Sequence, residues 1–558
     1  MKKQKKKKWM SILLAVSLFC SLGILPVQAA ATKQGGGFIR VQGDQLVDEQ
    51  GFPFHIRGIA FGNGVWANPS QPFRTHHTEE SYRELAELGF NTIRFYLNYG
   101  LFEDDSAPYL YKQSGWDWLD ENIEYARKYG LRLILNMHVP QGGYQSSGEG
   151  MALWTDPENQ NRLTALWAEI ARRYQDEPVV LGFGLVNEPV VPKLDTFEKT
   201  LAQWSGLAQR ITDAIRKTGS EQIIFVERLC AQKDLETGES DWSQQENLGF
   251  FLLDDDNTVY EFHNYDPYYF THQDLPGSDT EGRTAVYPDL SRLQALNQRW
   301  VTATFGTPAD PAATGWQEYI GEKFLVDDPE IIIANATLQA ANMGVSGKAY
   351  IDEVRVWEYD ENGEFLREIA VNSFDQKQEP SFWSSDGSGY AAYTEQGYQG
   401  GAVMAAGTTG DGNISCTDIF RVVQGHSYQV RAWIKTENLA SDASVRPRVD
   451  FSSADSVEIF DRKAMLFGLA EFLSFGKQHH VPMYLGEFGA DTRAFLEDRG
   501  GERWVADMLD LCIQNQIHFN YHTYHEEWFG LYQNSTSLLP DERNDLLWTC
   551  FQEKLQTQ

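Results

Sequence analysis

Cysteine is scarce in this chain, with five among 558 residues. One of them, Cys20, lies in the first thirty residues. The other four, Cys230, Cys416, Cys512 and Cys550, are too scattered for a disulfide framework or a zinc site. A protein of this size can stand on its core, so mostly free thiols are expected, and Cys512 with Cys550 is the one pairing to check. Positive charge is also short: 47 Lys and Arg face 79 Asp and Glu, for a net charge of −32. Such a surface repels nucleic acid and anionic lipid and favours a neutral ligand. Beyond the first thirty residues no segment is long and apolar enough to span a bilayer.

Those first residues, MKKQKKKKWMSILLAVSLFCSLGILPVQAA, have a Lys-rich head, an apolar stretch and a small-residue end. They read as a secretory signal peptide over 1–30, cut after Ala29 or Ala30. A retained membrane anchor is the alternative, while the bulky Phe19 argues against lipid attachment at Cys20. Removing the segment leaves 41 basic against 79 acidic residues, a net charge of −38. The expectation is a secreted, extracellular protein, free of the membrane after cleavage and monomeric. Aromatics, by contrast, are plentiful at 13% of the chain. Flat amphipathic rings suit a surface that stacks on sugars, or a Trp-rich core.

From residue 37 to about 290, apolar strand patterns alternate with amphipathic helix patterns. FIRVQGDQLVDEQGFPFHIRGIAF reads as an opening hairpin, turning at Asp-Glu-Gln-Gly, that leads into a strand. EESYRELAELG is a helix closed by Gly89, and NTIRFYLN the strand after it. WDWLDENIEYARKYG and LRLILNMH repeat the pair. In NRLTALWAEIARRYQDE, Leu163, Leu166, Trp167, Ile170 and Tyr174 share one helical face. VVLGFGLVNEP, IIFVERL and TVYEFHNYDP follow as strands. The pattern stops near 290 and resumes near 458 with a helix, VPMYLGEFG, a helix, IHFNYHTYH and a last helix. Eight such units make a closed (β/α)8 barrel, here over 31–295 and 456–558. The intervening 296–455 is rich in Gly, Ser, Thr and strand formers and reads as a β-sandwich of jelly-roll type inserted after the sixth strand.

Barrels of this kind place polar active-site residues at the C-terminal ends of their strands. Those ends carry Arg94, His138, Asn187, Glu188, His263, Tyr265 and Glu487. Singly, each has a dull explanation: a turn-forming Glu in water, a satisfied structural His, an Arg in a salt bridge. Seven on one end of five strands do not. Two carboxylates across a barrel mouth suit glycoside hydrolysis, one protonated to release the leaving oxygen, the other ionised to attack. Arg94 and the Tyr265 hydroxyl would stabilise a negative Glu487, and desolvation would weigh on Glu188.

The ordered motifs RGIAFGNG, NTIRFY, MHVPQGG, LVNEP, FHNYDPYYFTHQ and LGEFG resemble those of family 5 glycoside hydrolases of clan A, over residues 37–290 and 458–556. The resemblance implies a secreted retaining endo-β-1,4-glucanase with a β-glucan polysaccharide as substrate and no metal or organic cofactor. Same-fold β-mannanase or β-1,3-glucan hydrolase activity remains open, as does a non-catalytic glycan-binding protein. By the same resemblance Glu188 is the acid/base, Glu487 the nucleophile, and Asn187 the ligand of the sugar 2-hydroxyl. His263 and Tyr265 would orient the pair, and Arg94 and His138 would brace the nucleophile's side. Where the family has a Trp ending the eighth strand, this chain has His522. Either His522 hydrogen-bonds that sugar, or Trp528 supplies the stacking. Trp66, Trp154, Tyr96, Tyr99 and Trp528 are expected to form subsite walls.

Residues 300–455 resemble a jelly-roll carbohydrate-binding module with its halves exchanged, since GKAYIDEVRV precedes NSFDQKQEPSFW. Trp383, Tyr390, Tyr393 and Tyr398 would form its stacking surface, or else its core. In the second case the module would be a rigid wall beside the cleft.

Overall fold

Apolar residues at every second position of a strand can serve two cores at once, and the barrel of this protein is built that way. The computed structural model describes residues 37–556, except 67–69, 71–76, 243–245, 279, 314, 376, 378–379, 526–527 and 533–541. The segment read as a signal peptide lies outside these. Eight parallel strands close the barrel: β1 (Arg57–Phe61), β2 (Thr92–Asn98), β3 (Arg132–Val139), β4 (Val180–Gly184), β5 (Ile223–Glu227), β6 (Thr258–His263), β7 (Met483–Phe488) and β8 (His518–Tyr521), with β8 pairing β1. Outward positions such as Phe95, Leu97, Leu133, Leu135, Phe183, Ile224 and Leu485 pack under the helices. Inward positions Ile134, Leu181, Ile223, Phe225, Val259 and Tyr484 fill the lower lumen.

The floor is closed from below by the N-terminal hairpin. Arg40–Gln42 pairs antiparallel with Gln45–Val47, and Ile39, Leu46 and Ile56 join the lumen cluster. Two turns shape this segment. The expected one at Asp48–Gly51 brings Val47 opposite Pro53, and an earlier one at Gly43 closes the hairpin proper.

The helices follow their sequence signals. α1 (Glu79–Leu88) ends at Gly89 and α2 (Gln113–Tyr129) at Gly130, both in the left-handed conformation that glycine adopts without strain. α3 (Pro157–Tyr174) starts at an Asp156 cap and buries the predicted Leu163, Leu166, Trp167, Ile170 and Tyr174 face. α4 (Phe197–Arg216), α5 (Arg462–His479), α6 (Gly501–Gln514) and α7 (Asp545–Leu555) complete the ring. No helix among the described residues is long and apolar enough to cross a membrane. All four described cysteines are buried and unpaired, Cys512 and Cys550 included.

Between β6 and β7 the chain leaves the barrel on one strand of a ribbon, Asp289–Leu296, and returns on its antiparallel partner, Ser456–Phe460. Residues 299–453 between them form two antiparallel sheets, of six and seven strands, around their own apolar core. The four aromatics read as a stacking surface or as core lie on different sheets and faces. Trp383 lies on the six-stranded sheet, while Tyr390 and Tyr393 lie on one strand of the seven-stranded sheet, facing opposite ways. Tyr398 stacks on Trp433 at 3.8 Å. Strand alternation separates them: neighbours in sequence fall on opposite faces.

Candidate active site

The upper lumen is lined by polar side chains in the same inward register that carries the apolar floor: Arg94 and Tyr96 on β2, Asn136 and His138 on β3, Glu227 on β5, Glu261 and His263 on β6. Glu487 would miss this row by simple alternation from Tyr484. A register shift between β6 and β7 brings it directly opposite His263 instead. Its neighbour must be glycine, because a Cβ on Gly486 would stand 1.9 Å from Glu261 Oε1.

Glu487 is nearly closed to solvent and gathers several partners. Arg94 Nη1 donates to its Oε1 at 2.7 Å, Tyr96 Oη to the same oxygen at 2.8 Å, and Tyr265 Oη to its Oε2 at 2.8 Å. Burial alone would favour the neutral acid. Attraction to His263, His522 and Arg94 overcomes it and holds the carboxyl well below its ordinary 4.5. Glu487 is therefore an anion held in place.

Glu188 stands just past the end of β4 in a left-handed backbone conformation, φ 41°. Its amide N–H donates to Glu227 Oε2 at 2.7 Å, and His263 Nδ1 lies 2.9 Å from its Oε1. One oxygen each of Glu188 and Glu487, with a ring nitrogen of His263, all lie within 4.8 Å of one another. The preceding Asn187 accepts from Arg94 Nη2 at 2.7 Å and donates to Ser146 Oγ at 3.2 Å.

The Glu188 side chain keeps 21% of its surface exposed, because it projects from the turn beyond the strand. Burial acts on Glu227, whose carboxyl is pushed up to about 8 against the pull of His263. His263 shows the reverse balance. Burial opposes its charge, but Glu227 and Glu487, with hydrogen bonds to Glu188 and Glu261, hold it well above 6.5. Glu261 in turn pairs with Arg94 at 3.0 Å. The site thus sets Arg94 and His263 among four carboxyls, and burial pushes one of these, Glu227, toward its protonated form.

His138 is fully buried, held neutral by burial, and stacked on Tyr96 at 3.9 Å, so it braces Glu487 through the tyrosine. His522 does likewise, with Nδ1 3.0 Å from Tyr96 Oη. Trp528 is 39% exposed on the loop after β8, with the Arg493 guanidinium 4.7 Å from its ring and neighbouring Phe529 packed on Tyr265 and His522. Of the other expected wall residues, Trp66 sets its edge against His138 at 5.0 Å. Tyr99 is half-buried beside Arg162 and bonded to Asp105. Trp154 is core: it packs on Trp204, and its Nε1 donates to Gln145. Tyr96 lies inside the site rather than along its wall.

Sequence reasoning passed over Tyr96 as a partner of Glu487 and over Glu227 and Glu261 altogether. Glu227 ends the apolar run IIFVE just as Glu188 follows VVLGFGLVN, and a buried carboxylate there needs partners for the same reason. Glu261 and Tyr96 were visible as the inward positions two residues from His263 and Arg94.

Residues 47–326, half of the chain, match the sequence family described as Cellulase (glycosyl hydrolase family 5). The matched span covers β1–β6 and stops before Glu487. Endoglucanase C of Acetivibrio thermocellus is 30% identical over 234 residues, 40% of this chain and 63% of that protein. Cellodextrinase A of Ruminococcus flavefaciens is 30% identical over 225 residues, 38% of this chain and 62% of its own. The chain thus spans less than two thirds of the curated relatives it matches. A solved hyperthermophilic endo-beta-1,4-glucanase in complex with substrate aligns at 16% identity and a TM-score of 0.45, over 90% of this chain and 96% of that one.

Proposed function

The chain belongs to glycosyl hydrolase family 5, and from that premise we propose that it is a secreted, monomeric, retaining endo-β-1,4-glucanase. The observation that carries the reading is the separation of the two carboxylates. One oxygen of Glu188 lies within 4.8 Å of one oxygen of Glu487. This separation suits direct attack by one carboxylate, for which about 5–5.5 Å between the two groups is usual, against about 6.5–9.5 Å in inverting enzymes.

In this reading Glu487, kept ionised by Arg94, Tyr96 and Tyr265, attacks the anomeric carbon and forms a glycosyl ester. Glu188 gives its proton to the departing glycosidic oxygen, then takes one from the water that hydrolyses the ester. As Glu487 loses its charge to the new bond, Tyr96 and Tyr265 are free to turn toward the ring oxygen or the developing charge. His263 touches Glu188 and faces Glu487, so the electrostatic change at one carboxylate reaches the other within a single contact. Asn187, locked by Arg94, is set beside the acid to meet the 2-hydroxyl. Trp528, with one face on Arg493 and much of its surface open, supports the stacking role that a strand-end Trp would otherwise fill.

Secretion rests on the Lys-rich, apolar, small-residue order of residues 1–30. The monomer is supported by a site drawn wholly from one chain. The two-sheet insert is read as a jelly-roll carbohydrate-binding module. The test is hydrolysis of carboxymethyl cellulose, barley β-glucan, glucomannan, galactomannan and laminarin, with product stereochemistry followed by proton NMR. A rapid viscosity fall on the β-1,4-glucans with β-anomer formed first is expected. Preference for galactomannan or laminarin would overturn the substrate, and α-anomer as first product would overturn the mechanism.

A further inference from the structure

The residue that follows β8, His522, is engaged inside the site. Its Nδ1 lies 3.0 Å from Tyr96 Oη, within the cluster that holds Glu487. Trp528 comes from the loop beyond it. Three hydrogen bonds fix where that loop runs. Thr492 N–H donates to Trp528 O at 2.9 Å, Tyr521 Oη to Phe529 O at 3.3 Å, and Leu531 N–H to Thr523 O at 2.9 Å. All three end on backbone oxygens, so they leave the plane of the Trp528 indole to the side chains around it.

The loop after β7 meets the indole there, and Asp491 is its anchor. Asp491 is fully buried, and its N–H donates to Thr271 O on the connection after β6 at 2.7 Å. Its Oδ1 accepts from Arg493 N–H at 2.8 Å and its Oδ2 from Arg493 Nη1 at 2.9 Å. The guanidinium so held lies over the Trp528 ring, 4.7 Å from its centroid. A planar guanidinium can keep an in-plane bond to a carboxylate while its flat face lies on an aromatic ring, which a lysine cannot do. The loop has other means to keep its own shape. Ala494 N–H donates to Asp491 O at 2.8 Å, Leu496 N–H to Arg493 O at 3.2 Å, and Arg499 Nη1 to Arg493 O at 3.3 Å. The Arg493 guanidinium takes part in none of these, so its contact with Trp528 calls for a role of its own.

We propose that Arg493, anchored by Asp491, is a positioning residue that sets the plane of the Trp528 indole as a platform for a sugar on the Glu487 side of the barrel mouth. The side follows from the next residue in the chain. Phe529 packs on Tyr265 and on His522, of which the first donates to Glu487 and the second touches Tyr96. A surface indole on a loop samples several rotamers, and each must be given up when a sugar stacks on it. A guanidinium fixed beneath the ring selects one of them before the sugar arrives, so the ordering cost does not fall on binding. Arg493 acts through Trp528 in this account and touches no reacting atom. The nature of the sugar rests on the hydrolase reading above.

The test pairs calorimetric binding of cellohexaose to the full chain, inactivated by Glu487→Gln, with kcat and KM on barley β-glucan in the active chain. Arg493→Gln and Asp491→Asn should each weaken binding and raise KM about two- to fivefold, the scale of one cation–π contact, while kcat holds. The two variants remove the cation and its anchor separately, so a folding failure in one leaves the other to decide. Trp528→Ala should weaken binding about tenfold, and adding Arg493→Gln to it should cost nothing more. A double variant that loses both factors in full would overturn the proposal, because Arg493 would then act without the indole. Unchanged binding in Arg493→Gln would overturn it too, as would a fall in kcat with KM unmoved. Binding that follows the expected pattern in a protein that hydrolyses nothing would leave the platform standing and sink the enzyme reading instead.

Discussion

The amide N–H of Glu188 donates to Glu227 Oε2 at 2.7 Å, so a carboxyl at the end of β5 pins the backbone of the proposed acid at the end of β4. That backbone is left-handed at φ 41°, a conformation unfavourable for Glu unless its surroundings impose it. Glu227→Gln keeps an oxygen to accept the N–H, whereas Glu227→Ala removes it. The alanine variant should lose about 10²-fold in kcat on polysaccharide, the cost of misplacing a reacting group by about 1 Å. The glutamine variant should retain most of its activity. Equal losses in both would show that the hydrogen bond is not what matters.

The same carboxyl sets a pH dependence of stability. Its folded value of about 8 lies above the ordinary 4.5, so the folded state binds this proton more tightly than the unfolded one. The stabilisation is complete below about pH 4.5 and is lost as pH rises through 8. The Tm should therefore fall between pH 5 and 9, and more gently in Glu227→Gln. Parallel Tm profiles for the two proteins would contradict the shift.

Tyr265 Oη donates to Glu487 Oε2 at 2.8 Å, one of the bonds that keeps this anion charged despite burial. A hydrogen bond to a charged group contributes about 1.5–3 kcal/mol. Tyr265→Phe should thus raise the Glu487 pKa and move the acid limb of the kcat/KM profile upward by about one to two pH units. A lower plateau with an unmoved acid limb would mean that Tyr265 serves the substrate and not Glu487.

The barrel was legible because its strands carry two signals in one period: apolar residues outward, and apolar then polar residues inward. Glycines such as Gly89 and Gly130 marked the helix ends. Strand-end polarity singled out Glu188 and Glu487 together with the side chains that hold them. What it missed shares one property. Glu227, Glu261 and Tyr96 are inward residues inside or at the end of strands read as apolar, where alternation offers them as inward but only the register of neighbouring strands brings them together. Glu487 reaches the inward row through a register shift that no periodicity announces. Surface and core stayed open for the module's aromatics for a related reason, since Trp383 is close in sequence to Tyr390 and Tyr393 yet belongs to a different sheet.

If Glu188 supplies the proton, its importance should scale with the leaving group's need for one. Glu188→Ala should cut hydrolysis of a β-glucan by about 10²–10⁴-fold, the usual scale of general acid–base catalysis. The first step on a dinitrophenyl cellobioside, whose leaving group departs as an anion, should be nearly unaffected, so that glycosyl-enzyme accumulates in a burst. Equal losses on both substrates would remove Glu188 from the acid role.

Arg94 is fully buried between Glu487 at 2.7 Å and Glu261 at 3.0 Å, and also serves Asn187. Removing one partner of a buried pair leaves the others uncompensated, at a cost of about 3–5 kcal/mol. Arg94→Met should lower the denaturation midpoint accordingly. Arg94→Lys, a point charge without the planar fork, should recover stability but not the three-way positioning, and so should remain poorly active. A stable, active Lys variant would show that charge alone suffices.

Burial pushes all four described thiols upward, Cys416 and Cys550 to about 12, so none is a reactive thiolate near neutral pH. Native protein should not react with a chromogenic disulfide reagent. Unfolded in guanidinium without reductant, the mature chain should release four equivalents, for Cys230, Cys416, Cys512 and Cys550. A fifth equivalent would come from Cys20 and would mean that residues 1–30 are retained, against the signal-peptide reading. Two equivalents instead of four would reveal a bridge, against the unpaired state of these cysteines. The count therefore tests the leader and the core in one titration, because the leader holds an odd cysteine and a bridge removes an even number.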